Sequence, residues 1–225
     1  MSDDDTGMAT SDNVSSYVDG TYGTAVSSMS AHDRATQLIG EVNQTLEHEG
    51  VPQVAWDFGA RSDTYGTFDA SQWTMYLNEQ YFSPDGTDAT VLENNYREAL
   101  QTVYHEARHA EQTFRGARER IGLGATVAQA LEAMGHDHNA PCPPQWVVEK
   151  AAANPILQCD YAQYQAEAWY QSMYGAGAES RYQTLTNPDD PSYDANYRAL
   201  PEESDAWRTD GAVGDAYRQY GQPQQ

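Results

Sequence analysis

Lysine is nearly absent from this chain: Lys150 is the only one among 12 cationic residues, set against 34 acidic residues for a formal charge of -22. So few cations cannot neutralise a phosphate backbone or hold an anionic bilayer surface, which excludes nucleic acid and membrane as expected partners. Long apolar runs are lacking too. With a mean hydropathy of -0.77, no stretch approaches the roughly 18 apolar residues of a membrane span. The two cysteines, Cys142 and Cys159, are too few for a disulfide framework. If paired, they would close a loop worth about 3 kcal/mol in the chain-entropy model. The start, Met1-Ser2-Asp3-Asp4-Asp5, lacks the basic and apolar regions of a secretory leader. The expectation is a cytoplasmic protein or one exported by a non-classical route. The excess of acid gives a solvated surface, suited to high salt where self-repulsion is screened.

What is present suffices for a full hydrophobic core, and 225 residues favour a single main domain. Residues 1–28 are rich in Asp, Ser, Gly and Thr and read as a disordered acidic arm, residues 29–220 as the folded domain, and residues 221–225 as a frayed tail. Ser30 and Asp33 mark a helix start ahead of Ala35, Leu38, Ile39, Val42 and Leu46, with Gly50 at the end. Val51 to Phe58 and Gln72 to Asn78 read as strands of a small hairpin or meander. A long helix is predicted from about Ala89 to Arg120, and further helices over Ala125 to Met134, Gln145 to Ala152, Ile156 to Tyr174 and Pro201 to Tyr220.

The long helix carries the chemistry. Tyr96, Leu100, Val103, Ala107, Ala110 and Phe114 recur at three- and four-residue steps and form an apolar stripe. His105, His109 and Gln112 project to the other side, where they can line a cleft. Two histidines four residues apart lie about 6 Å apart along the axis, so both imidazoles can reach one tetrahedral ion. Glu106, on their flank, can take a proton from water at the metal and pass it to a leaving nitrogen. His105-Glu106-Ala107-Arg108-His109 is therefore the H-E-x-x-H pattern of zinc metalloproteases. Gln112 suits either a hydrogen bond to a ligand or a plain surface position.

A catalytic zinc takes three protein ligands and keeps one open position. The residues leave three candidates for the third. Glu203 stands in the first turn of a helix started by Pro201, with small Ala206 one turn on. Glu167 is flanked by Ala166, Ala168 and Trp169, a setting in which a carboxylate needs a partner. His136-Asp137-His138 can chelate from a loop.

The run His105 to Gln112, H-E-x-x-H-x-x-Q, followed by Pro201 to Ala206, P-x-E-x-x-A, resembles the gluzincin-like metallopeptidase domains of bacterial contractile-injection-system and polymorphic-toxin proteins. The resemblance implies His105, His109 and Glu203 as zinc ligands and Glu106 as general base, while the H-E-x-x-H motif itself points to a peptide or protein substrate. The resemblance further implies an α+β, zincin-like fold with a small sheet on the long helix. In such a fold the segment Trp73 to Leu77 would be an edge strand that pairs with substrate. Two competing readings remain: a non-catalytic zinc-stabilised binding module, and a secretion-system component that docks through its acidic arm.

Overall fold

In the computed structural model, residues 6–22, 29–60, 64–83, 89–135, 142–156, 161–187 and 189–220 are described. They form an α+β fold, mostly helical, with one three-stranded sheet. None of the helices among them is long and apolar enough to cross a membrane. Contacts divide the chain into two compact units, Met1–Phe68, Thr74–Arg108 and Arg208–Gln225 forming the first and Asp69–Trp73 with His109–Trp207 the second.

In the first unit, helix α1 (Ser11–Tyr22) lies within the segment expected as a disordered arm. Its Val14, Tyr17 and Val18 are buried, as are Met8 and Ala9 of a preceding 3-10 turn, Gly7–Ala9. The few apolar residues described in this segment are nearly all buried, and hydrogen bonds from the long helix add to them. Tyr104 donates to Met8 O at 2.7 Å, Arg108 to Thr6 O at 3.0 Å and Tyr96 to Thr21 O at 2.9 Å. Helix α2 (Ala31–His48) begins where Ser30 Oγ accepts from Asp33 N at 3.1 Å. It ends at Gly50, whose φ of 72° lets Val51 N reach back to Leu46 O. Its stripe Ala35, Leu38, Ile39, Val42 and Leu46 is buried as its spacing predicts.

Strand β1 (Ala55–Phe58) is shorter than expected because both backbone groups of Val54 are taken by the Asn43 side chain, at 2.8 and 3.0 Å. Strand β2 (Gly66–Asp69) was not foreseen, and β3 (Thr74–Leu77) starts two residues late. Trp73 cannot join it: its φ of 54° is left-handed, a conformation held by burial of the indole and its edge-on packing against Trp146. The sheet order is β1-β3-β2, with β1 and β3 parallel, so it is neither a simple hairpin nor a meander. β3 is thus the central strand. Its hydrogen-bonding edges are filled on both sides, which corrects the expectation that Trp73 to Leu77 would pair with a substrate.

Helix α3 (Ala89–Gly122) begins in the first unit and continues into the second. The second unit also contains α4 (Val127–Gly135), α5 (Gln145–Ala153), α6 (Tyr161–Met173), α7 (Ala178–Leu185), α8 (Tyr193–Arg198) and the first turns of α9 (Pro201–Tyr220). α4 starts two residues after its expected place because Thr126 caps it, with Thr126 Oγ1 accepting from Gln129 N and Gln129 Oε1 from Thr126 N. Ile156, expected to open a helix, instead donates its N–H to Arg118 O at 3.2 Å. Glycine is needed at Gly122, where a Cβ would meet Ile156 O at 1.8 Å. Pro201 opens α9 as predicted, and the helix continues past Gly211 and Gly214 to Tyr220.

Candidate metal centre

The apolar stripe of α3 is buried, and so are some of its polar residues: His105 is 7% exposed and Gln112 fully buried, whereas Glu106 and His109 are half-buried. The hydrogen-bond partners of these side chains decide what the group can do.

His105 Nδ1 lies 3.0 Å from Asp210 Oδ2 on α9. A carboxylate only accepts, so Nδ1 carries a proton. His109 reaches the same state by another route. Gln112 Nε2 donates to Glu202 O at 2.9 Å and to Asp205 Oδ2 at 3.0 Å. Two acceptors fix the amide orientation, so the Oε1 that lies 2.9 Å from His109 Nδ1 must accept. Both imidazoles thus have an acceptor at Nδ1, the kind of outer contact found around metal-ligating histidines, and Nε2 is the atom each would turn to a cation.

Glu203, in the first turn of α9, completes the group. Its Oε1 lies 3.5 Å from His109 Nε2, close to the about 3.4 Å between ligand atoms on a tetrahedral zinc. One ligand atom from each of His105, His109 and Glu203 lies within 4.8 Å of the others. This is a group that can hold a metal ion: two imidazole nitrogens, one carboxylate and low exposure fit a divalent cation. Tyr197 donates its hydroxyl to the same Glu203 Oε1 at 2.6 Å. Neighbouring Glu202 turns elsewhere; burial pushes its carboxyl above the ordinary range, against a hydrogen bond with Ser172 that lowers it.

Glu106 lies on the flank of α3, as the spacing predicts, and its Oε2 accepts from Phe68 N at 2.8 Å. Glu111, within the same motif run, pairs with Arg115 at 2.8 Å.

Glu167 is not brought to the histidines. It is half-buried on α6 and forms an ion pair with Arg120, which also binds Glu119 at 2.6 Å and stacks on Tyr170. Gln171 donates to Glu167 at 2.7 Å. The partner a carboxylate needs beside Trp169 is thus an arginine. His136-Asp137-His138 and Cys159 lie outside the described residues; Cys142 is a free thiol.

The carboxyl pair titrates unusually. Burial, reinforced by Glu167 and only partly offset by Arg120, pushes Glu119 up to about 7. For Glu167, burial acts upward but the bonds with Glu119, Gln171 and Arg120 outweigh it and hold the group below the ordinary range. A carboxyl raised in the folded state costs stability as pH climbs from its unfolded value of 4.5 to about 7. Glu167 acts in the opposite sense and only at lower pH. Glu119→Gln should therefore match the parent protein near pH 5 and exceed it near pH 8 by at most about 3 kcal/mol. Thermal unfolding at the two pH values checks this, and a pH-independent difference would contradict it.

Three residues of the centre escaped the sequence reading. Asp210 was within reach, since it stands seven residues, or two turns, after Glu203 and so on the same face of α9. Asp205 sits in the quoted motif, but nothing marked it as an acceptor for Gln112. Tyr197 gave no signal, because its place depends on the turn between α8 and α9. Asp210→Asn should disturb the His105 tautomer and weaken metal binding about 10- to 100-fold. Metal titration against a competing chelator measures it, and unchanged affinity would show that Asp210 only packs.

Comparison with family models, curated proteins and solved structures finds no match for the chain.

Proposed function

We propose that the chain is a zinc-dependent metallopeptidase of zincin-like fold that hydrolyses a peptide or related amide bond. His105, His109 and Glu203 hold the zinc, and Glu106 is the general base. The observation that carries this reading is the pair of histidines with both Nδ1 atoms tied by Asp210 and Gln112 and Glu203 within ligand distance. When bound, zinc supplies Lewis acidity that polarises a carbonyl and makes water acidic near neutral pH. Asp210 and Gln112 keep the imidazoles in the tautomer that can bind it. The Glu106 carboxylate, held at one oxygen by Phe68 N, keeps its other oxygen to receive a proton and return it to the leaving nitrogen. The motif spacing supports the gluzincin-like resemblance, and through it a peptide or protein substrate and a role in a bacterial secretion or toxin system.

A second reading, a zinc-stabilised module without turnover, is favoured by one observation: the Phe68 tie gives Glu106 a structural use that needs no catalysis. Zinc analysis of the purified protein, together with a broad peptide library assayed with and without chelator, separates the two. One zinc per chain with chelator-sensitive cleavage supports the peptidase. One zinc without cleavage supports the module, and no zinc removes both.

A further inference from the structure

The chain places Glu106 with more than its own helix. β2 is an edge strand, and its Phe68 N–H points at Glu106 Oε2. Two residues earlier, Gly66 of β2 packs close to Thr102 of α3. A Cβ there would stand 2.8 Å from Thr102 Cγ2, 3.3 Å from Leu77 Cδ2 and 3.4 Å from Tyr76 O. Thr102 and Glu106 are one helical turn apart, about 6 Å along the axis, and Gly66 and Phe68 are separated by about 6.6 Å of strand. The two contacts therefore fall in step, strand residue against helix residue. Thr102 is β-branched and cannot swing its methyl away freely, while Leu77 and Tyr76 of β3 close off the other direction.

We infer that β2 is the positioning element for Glu106: the Phe68 N–H holds the carboxylate, and the missing side chain of Gly66 sets the strand–helix spacing at which that bond forms. This rests on the peptidase reading for its consequence in turnover, but not for its geometry. A carboxylate on a half-buried helix flank can adopt several rotamers, and a main-chain donor on an anchored strand selects one of them. Misplacing a reacting group by about 1 Å can cost 100-fold in rate.

The test is Gly66→Ala in the full chain, alone and with Thr102→Ser, which removes the obstructing methyl. Hydrogen exchange at the Phe68 amide should accelerate at least about tenfold in Gly66→Ala, with kcat on the best-cleaved library peptide falling about 10- to 100-fold and KM nearly constant. Adding Thr102→Ser should restore both. Wild-type exchange and kcat in Gly66→Ala, or no restoration by Thr102→Ser, overturns the inference. Should Gly66→Ala fail to fold, Glu106→Ala and Glu106→Gln decide. The amide should be exposed in Glu106→Ala and stay protected in Glu106→Gln, whose side-chain oxygen still accepts; equal protection in both overturns it. The exchange readout needs no substrate, so a chain that cleaves nothing but shows this pattern loses the peptidase reading and keeps the strand–helix tie.

Discussion

Glu106→Gln is expected to retain its zinc and to lose turnover by about 10²- to 10⁴-fold, the contribution of a well-placed general base. Gln has nearly the same shape as Glu and its carbonyl oxygen can still accept from Phe68 N, so strand and helix should keep their register. The proposed ligands are untouched, since His105, His109 and Glu203 keep the same outer contacts with Asp210, Gln112 and Tyr197. Only the ability to take a proton is gone. Zinc stoichiometry and kcat measured on the same preparation check the claim, and equal turnover would mean that Glu106 is not the base.

The second large effect is on the metal itself. Glu203→Ala should weaken zinc binding by more than the about 100-fold that an outer-contact change costs, because it deletes one of the three proposed ligands. It would also remove the carboxylate to which Tyr197 donates and which faces His109 Nε2. Glu167→Ala is the control: its carboxylate is engaged by Arg120, so zinc affinity should stay as it was. Competition with a colorimetric chelator reads both variants. Normal affinity in Glu203→Ala with loss in Glu167→Ala would move the third ligand to α6.

The parts of this structure legible in the sequence were those fixed by local periodicity and end signals. Ser30 and Gly50 bound α2, Pro201 opens α9, and the spacing of Tyr96, Leu100 and Val103 gives the buried side of α3. Of the third ligands left open by the residues, Glu203 is the one grouped with His105 and His109 among the described residues. What was not legible depends on partners distant in sequence. Residues 6–22, α1 and the turn before it, are tied by bonds from Tyr96, Tyr104 and Arg108, some 75 to 102 residues away. β3 reads as an edge strand until β2, whose Gly66-Thr67-Phe68-Asp69 has little alternation, is found beside it. Asp210 matters only once α9 has been laid against His105, 105 residues earlier.

That last separation has a consequence for how the protein is made. During synthesis the two histidines leave the ribosome long before Glu203 and Asp210, so for about a hundred residues of elongation the nascent chain carries two of the three grouped residues without the third. A message truncated ahead of α9 would yield a polypeptide with the whole H-E-x-x-H signature and no Glu203 carboxylate to complete the group.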